Sequence, residues 1–170
     1  SDGLMLLSLR TTSGVVAVNR ETGAVVWHVG PEVVAQQHTP VETEGGNVLV
    51  FDNGNLRTGS TSPFSRALEF DRSGRVVWSY ADPLPMAFFS PYMGGCQRLW
   101  NGNTFICESA FGRLFEVTPE GAVVWEYVIP DFAAYPEPLA QFITGEHNSC
   151  FRAHRYPASA LPWLKERAHG

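Results

Sequence analysis

β-Branched and aromatic residues recur along the chain in short runs with a period near two, and glycine-containing turns separate these runs. Such a pattern is typical of β-strands rather than of helices, whose apolar positions recur every three to four residues. Only residues 160–168 have a pattern that would suit a helix. The sequence therefore predicts an all-β fold.

One unit of this pattern occurs three times. Each copy is a strand, a turn that contains glycine, and a second strand that ends in Val-Val-Trp; the copies are Val15–Trp27, Arg66–Trp78 and Arg113–Trp125. The three tryptophans are 51 and 47 positions apart. This spacing suits one four-stranded blade of a β-propeller per repeat.

A second hairpin precedes this unit within each repeat, and its clearest copy has an Asn101-Gly102 turn, the strongest short hairpin signal. We predict a partial β-propeller of about three four-stranded antiparallel blades over residues 1–158. The blades lie approximately at 3–30, 37–82 and 94–129; a last strand covers 147–156, and 159–170 form a C-terminal tail.

Composition narrows the class of protein. The chain is 44% apolar and 17% charged, which is too hydrophobic for a disordered segment. No apolar run approaches the roughly 18 residues that span a bilayer, and residues 1–20 carry no recognisable targeting signal. The net charge of −5 argues against nucleic acid as a partner. We therefore expect no membrane span and no nucleic-acid binding.

Several polar residues converge at one end of the second blade. If the glycine pair near residue 45 is a two-residue hairpin loop, His38 lies roughly opposite Asn53, at the end away from the turn. Arg57 follows in the next loop at the same end, which carries the central pocket of a propeller. We call this end of the sheets the mouth. Two further residues are candidates for it: Arg10, at the end of a strand in the first blade, and His147, at the head of the last strand.

The residues at this mouth resemble a known family. Gln37-His38-Thr39-Pro40, followed by Phe51-Asp52-Asn53-Gly54 and Arg57, is similar to the arylsulfotransferase family of bacterial β-propellers, as are Gly112–Thr118 and Phe151–Pro157. The resemblance covers nearly all of residues 3–158. It implies a six-bladed propeller that moves a sulfuryl group from an aryl sulfate to a phenol through a transiently sulfated histidine, without a nucleotide donor. It also implies a periplasmic or extracellular location.

On this hypothesis His38, Arg57 and His147 are the catalytic residues, and Asn53 and Arg10 bind substrate. A neutral imidazole is a competent nucleophile near pH 7, and an arginine fork can hold two sulfuryl oxygens. We predict no cofactor and no metal site, because the sequence has no phosphate loop and no zinc spacing.

Two other classes of function compete with this hypothesis. Alignment of the two hairpins puts Gly94 where His38 stands one blade earlier, and no histidine lies between His38 and His147. A non-catalytic propeller that acts as a binding or interaction module therefore stays open. A quinone-dependent dehydrogenase would need a cofactor-stacking tryptophan and a Glu, Asn and Asp metal site, and the sequence shows no such set.

Three further points stay open. A two-residue Asn101-Gly102 loop would place Cys96 directly opposite Cys107, either as a disulfide or as two reduced thiols. Asp52 and Glu108 end equivalent strands, and we interpret them as acceptors for loop groups rather than catalytic carboxylates. About half of a closed ring is encoded, so we expect either a homo-oligomer that completes the propeller or a longer parent chain.

Overall fold

The structure is a computed structural model, and it describes residues 3–161 and Trp163. In this part of the chain the regular structure consists of β-strands linked by turns and single 3₁₀ turns, so the predicted all-β fold is confirmed. The helix candidate over 160–168 lies largely outside the described residues.

Three antiparallel sheets succeed one another along the chain, each with its strands in sequence order. The first sheet contains β1 (Leu4–Leu9), β2 (Gly14–Asn19) and β3 (Val25–Val29). The second contains β4 (His38–Glu42), β5 (Val48–Asp52), β6 (Arg66–Phe70) and β7 (Val76–Tyr80). The third contains β8 (Gly95–Arg98), β9 (Thr104–Glu108), β10 (Arg113–Val117) and β11 (Val123–Val128). These are the blades of a partial β-propeller.

The repeat is reproduced in the backbone as well as in the sequence. Each sheet has a bulge next to the turn of its last hairpin, at Ala17/Val18, Glu69/Phe70 and Glu116/Val117. A β-bulge increases the local twist and changes which side chains face the neighbouring sheet. The first Val of each Val-Val-Trp is exposed, whereas the tryptophans of the first two copies are partly buried.

The sheets pack face to face through two hydrophobic clusters. Between the second and third sheets the ring of Phe88 lies 5.7 Å from Phe51 and 5.3 Å from Phe115, both edge-to-face, and 5.8 Å from Tyr80. Between the first and second sheets the cluster is mainly aliphatic and includes Leu68. Edge-to-face pairs of this kind add about 0.5–1.5 kcal/mol each to the burial of the rings. This packing holds the loops that carry the candidate site.

Two predicted registers are wrong, because both hairpin loops have three residues instead of two. The loop after β4 spans 44–46, and together with the bulge between His38 and Val41 it pairs His38 with Phe51 rather than with Asn53. The loop after β8 has three residues, because the Leu99 N–H donates to the Asn103 carbonyl at 2.8 Å and the Gly102 N–H donates to the Leu99 carbonyl at 3.0 Å. The longer loop shifts the pairing by one residue, so Cys96 lies opposite Ile106 and not opposite Cys107. Cys96 and Cys107 are both free thiols, and the disulfide between them is not formed.

The predicted last strand over 147–156 is much shorter in the structure. A two-residue β13 (Glu146–His147) pairs with β12 (Ala133–Ala134), and residues 148–157 continue without strand structure. A side-chain amide replaces the missing ladder, because Gln97 donates to the Arg155 carbonyl and accepts from the Arg155 N–H, both at 2.9 Å. This contact holds the C-terminal segment beside β8.

Candidate functional site

His38 and Asn53 form the centre of the candidate site. His38 begins β4, and Asn53 directly follows β5, so both stand at the end of the sheet away from the hairpin turn. The His38 Nδ1 lies 2.7 Å from the Asn53 Oδ1, although His38 is paired across the strands with Phe51. The predicted proximity of His38 and Asn53 is therefore present. A bulge with Thr39 at a φ of +48° separates this pair from the regular ladder.

The neighbours of Asn53 determine the tautomer of His38. Asn53 is fully buried, and its Nδ2 donates to the carbonyls of Ser90 at 2.7 Å and Met93 at 2.8 Å. Only an NH₂ group can donate two hydrogen bonds to carbonyls, so Oδ1 must face the histidine. The His38 Nδ1 therefore carries the proton and donates it to Asn53, and the lone pair lies on Nε2. Among the described residues, none is hydrogen-bonded to that Nε2.

The surroundings keep His38 neutral. Burial lowers the pKa of His38 below its ordinary value of 6.5, the Asn53 hydrogen bond opposes this, and the positive charge of Arg10 lowers it further. The side chain is half-buried, so Nε2 remains within reach of solvent. At neutral pH the residue is consequently an uncharged nucleophile or base.

Arg10 comes from the first sheet and reaches the same mouth. Its Nη2 donates to the Pro91 carbonyl at 3.3 Å, which also accepts from Asn55 Nδ2. Pro91 belongs to the loop whose carbonyls hold Asn53. The first sheet thus brings a cation near His38, as the sequence analysis predicted, through a loop between the second and third sheets.

Arg57 lies on a different side of the strand end. Its Nη2 donates to the Asp52 carboxylate at 3.1 Å, and its guanidinium carbon lies 4.0 Å from the centre of the Phe64 ring. Successive side chains of a strand point to opposite faces. Asp52 therefore holds Arg57 on one face while Asn53 contacts His38 on the other. No contact between Arg57 and His38 occurs in the described chain.

Arg57 nevertheless has donors to offer. Its Nε and Nη1 are buried and have no hydrogen-bond partner among the described residues. Burial lowers the pKa of Arg57, and the charge of Asp52 opposes that effect. The arginine lines a cavity of about 310 Å³ together with Ser60, Thr61 and Ser62. An anion with several oxygens could satisfy both free N–H groups there.

The carboxylates that end β5 and β9 are acceptors for loop groups, as interpreted from the sequence. Asp52 accepts the N–H of Ala35 at 2.7 Å and the Nε–H of Arg66 at 2.6 Å. Glu108 accepts the N–H of Phe89 at 3.0 Å. Each carboxylate thus ties the connection between two sheets to a strand end, and its lone pairs are occupied.

The structure does not bring His147 to His38. The His147 ring packs on Tyr135 with 5.3 Å between centroids, and its Nε2 donates to the Thr144 carbonyl at 3.1 Å. No hydrogen bond or ring contact in the described chain joins His147 to His38. His147 lies instead in the short β13, where it pairs with Ala133 of β12.

Arg152 lies near the mouth, although it is not among the site residues predicted from the sequence. Gly95 pairs with Cys107 as His38 pairs with Phe51 one sheet earlier, so the bulge in β4 makes Gly95, and not Gly94, the equivalent of His38. A Cβ on Gly95 would lie 3.4 Å from the Arg152 Cγ and 3.3 Å from the Thr39 Oγ1. The missing side chain leaves room for the arginine stem next to the residue that follows His38. Its place in the Arg-rich segment after 150 was the only sequence signal.

Other features lie away from these residues. A cavity of about 630 Å³ is lined by the hairpin turns at the opposite end of the second and third sheets, including Glu44 and Trp100. Within residues 3–161, no group of three or more His, Cys, Asp and Glu side chains could hold a metal ion. No helix among the described residues is long and apolar enough to cross a membrane.

Comparison with models of protein families identifies the family of the chain. The model of the PQQ_2 family, described as outer membrane protein assembly factor BamB, matches residues 1–142. The chain belongs to this family. The membership supports the propeller part of the resemblance drawn from the sequence, and it does not extend to the arylsulfotransferase activity. No curated protein sequence matches the chain.

Two solved structures are similar in fold to this chain. A protein of unknown function from Bacteroides caccae is 19% identical, with a TM-score of 0.55 over 78% of this chain and 46% of its own. A streptogramin B lyase is 16% identical, with a TM-score of 0.54 over 77% of this chain and 39% of its own. The chain thus spans less than half of the length of either structure. Similarity at this level shows the fold alone.

Proposed function

We propose that this propeller transfers a sulfuryl group from an aryl sulfate to a phenolic acceptor, with His38 as the nucleophile. The observation that carries the proposal is the buried Asn53, whose two amide hydrogens are both taken by carbonyls. This arrangement leaves the His38 Nε2 with a free lone pair on a half-buried, neutral imidazole. A nucleophile oriented by a second buried group is the arrangement that group transfer through histidine requires.

The transfer has two steps. The Nε2 lone pair attacks the sulfur of the aryl sulfate, the S–O bond to the aryl group breaks, and the phenolate leaves with the electron pair. The acceptor phenol then passes its proton to the released phenolate, directly or through water, and its oxygen attacks the sulfur. The N–S bond breaks, and its electron pair returns to Nε2 to restore neutral His38. Asn53 accepts the Nδ1–H throughout and stabilises the positive charge on the sulfated ring.

Cationic side chains supply the rest of the site in this proposal. Arg10, whose charge already acts on His38, binds the sulfuryl oxygens. Arg57 offers two unpaired, buried N–H groups, but Asp52 holds it on the face opposite His38. It stabilises the charge on the sulfuryl oxygens or the leaving phenolate only if its loop moves to the mouth when substrate binds. Arg152 borders Thr39 and joins this set. His147 enters only if the segment around it approaches the mouth when substrate binds.

Location and assembly form part of the same proposal. The family description as an outer membrane assembly factor supports a periplasmic or extracellular location, which the resemblance also implies. The third sheet leaves Trp125 40% exposed and Tyr127 47% exposed, with their rings stacked at 6.4 Å. The equivalent Trp78 packs on the next sheet and donates to the Pro119 carbonyl. We propose that a second copy of the chain covers this face.

A non-catalytic binding module is the second candidate. The observation in its favour is Gly95, which stands where His38 stands one sheet earlier and leaves one histidine at the mouth of the described chain. The family description names an assembly factor, which is a binding role. This hypothesis predicts that aryl sulfates or protein partners bind at the mouth without turnover.

An assay with 4-nitrophenyl sulfate and phenol separates the two candidates. We expect 4-nitrophenolate release that depends on phenol, and a sulfated His38 detectable by mass spectrometry when phenol is left out. His38→Ala should abolish both signals, whereas His154→Ala, a change at an exposed histidine, should leave them unchanged. Release that is no faster than in the His38→Ala variant would overturn the catalytic proposal, and binding without release would support the module.

A further inference from the structure

Cys107 and Cys150 lie next to each other although 43 positions separate them in the sequence. The two sulfur atoms are 3.4 Å apart, and both cysteines are free thiols. Cys107 is the buried fourth residue of β9, and Cys150 lies in the segment that follows β13. A disulfide has an S–S distance of about 2.05 Å, so a closure of little more than 1 Å would join them.

The backbone around the pair is already docked. The Cys150 N–H donates to the Ser109 carbonyl at 3.1 Å, and the Ser109 hydroxyl donates to the Phe151 carbonyl at 3.1 Å. On the other side of Cys150, the Asn148 Nδ2 donates to the Ile129 carbonyl at 3.0 Å. Bond formation therefore needs movement of side chains rather than rearrangement of the chain.

The two thiols differ in reactivity. The hydrogen bond with Cys107 lowers the pKa of Cys150 to about 7, and Cys150 is only partly buried. The same hydrogen bond, together with burial, raises the pKa of Cys107. A thiolate is the form that attacks disulfides, so Cys150 reacts first and Cys107 second. Cys96, whose pKa burial raises, has no such partner and faces Ile106.

We propose that Cys107 and Cys150 are a dithiol pair that closes to an intramolecular disulfide when the protein meets a disulfide oxidant. The Cys150 thiolate attacks the oxidant, forms a mixed disulfide and releases one thiolate. The Cys107 sulfur then attacks the Cys150 sulfur, and the second thiolate of the oxidant leaves and takes up the proton of Cys107. Two protein thiols are oxidised, and one small disulfide is reduced to two thiols.

The bond would attach the C-terminal segment to the third sheet. That segment carries Arg152, two residues beyond Cys150, whose stem packs on Gly95 beside Thr39. In the reduced protein the segment is held by single hydrogen bonds, such as those of Gln97 with Arg155. The disulfide keeps Arg152 at the mouth for as long as the bond is intact. The pair does not depend on the sulfuryl-transfer proposal, since it concerns cysteines outside that chemistry.

Trypsin separates the three cysteines, which makes the test direct. Cys96 falls in Val76–Arg98, Cys107 in Leu99–Arg113 and Cys150 in Leu114–Arg152. The folded protein is incubated with oxidised glutathione, denatured, alkylated and digested. We expect the second and third peptides joined by a bond that dithiothreitol cleaves, with Cys96 alkylated. The bond should raise the melting temperature by about 5–10 °C over the reduced protein.

Single variants provide the controls. Cys150→Ser and Cys107→Ser should each lose the joined peptide and the redox-dependent shift in melting temperature, whereas Cys96→Ser should keep both. Glutathione that stays on Cys150 while Cys107 remains alkylated would overturn the proposal. So would a disulfide to Cys96, or a disulfide between two chains whose yield rises with protein concentration.

Discussion

The Nδ1–H of His38 donates to the Oδ1 of Asn53 at 2.7 Å, and the amide of Asn53 cannot turn away because both of its hydrogens are bound to carbonyls. The histidine is therefore oriented by a buried group that has no freedom of its own. Loss of the group that orients a functional histidine costs about 10- to 100-fold in activity at metal sites, and we expect an effect of similar size here.

Asn53→Ala should lower the rate of sulfuryl transfer at saturating aryl sulfate by about 10- to 100-fold, with a smaller change in KM. The physical reason is that His38 loses the acceptor that fixes its tautomer. ¹⁵N NMR should show Nε2 unprotonated in the native protein and a mixture of tautomers in the variant. Asn55→Ala is the matched control, since Asn55 bonds to Pro91 and does not contact His38. An unchanged rate in Asn53→Ala would remove Asn53 from the site.

Acid should destabilise the protein through His38. Its pKa is lower in the folded protein than the ordinary value of 6.5, so below about pH 6.5 the unfolded chain binds more protons. The stabilising contribution is complete above pH 6.5 and is lost as the pH falls through the folded pKa. Melting temperatures between pH 8 and pH 5 should fall more steeply for the native protein than for His38→Gln. Equal slopes, or an NMR pKa of 6.5 or above, would contradict this.

Sulfate should bind at Arg57. The free Nε–H and Nη1–H can take two oxygens of an anion, and a ligand that binds only the folded state raises its stability. Millimolar sodium sulfate should therefore raise the melting temperature of the native protein above that in equal ionic strength of chloride. Arg57→Gln should remove the difference, whereas Arg75→Gln, a change at an exposed pair with Asp71, should retain it. The same difference in both variants would mean that sulfate acts on the protein as a whole.

Equivalent tryptophans should contribute unequally to stability. Trp78 is partly buried against the third sheet and donates to Pro119, so Trp78→Ala should lower the free energy of unfolding by about 2–3 kcal/mol. Trp125 packs on Phe105 and lies near Arg155, but its indole N–H has no hydrogen bond in the described chain. Trp125→Ala should therefore cost less than Trp78→Ala in the monomer, by about 1 kcal/mol. Urea unfolding measures both values.

The same pair tests the proposed assembly. If a second copy covers the third sheet, light scattering of the native protein should give a molar mass above that of one chain, and Trp125→Ser should return it to the monomer. Trp78→Ser should leave the association unchanged, because Trp78 is already covered within the chain. A monomer at all concentrations would show that no second copy occupies the face around Trp125.

The sequence alone was sufficient to predict the three repeated sheets with their strands, and the proximity of His38 to Asn53. These features depend on local properties, namely the alternation of side chains, the preference of glycine for turns, and strand ends that a hairpin brings together. The interpretation of Asp52 as a hydrogen-bond acceptor for loop groups is also confirmed, because a carboxylate at a strand end lies next to the N–H groups of the adjacent connection. Glu108, at the equivalent strand end of the third sheet, accepts a loop N–H in the same way.

Only the tertiary structure decided the register and the partners of distant residues. A three-residue loop instead of two moved Cys96 away from Cys107, and packing of the C-terminal segment brought Cys150 there instead. Asp52 drew Arg57 to the face opposite His38, and the short β13 left His147 beside Tyr135. These outcomes depend on which sheets and loops come into contact. Residues that are far apart in the chain determine these contacts together, so no local sequence pattern can specify the contacts.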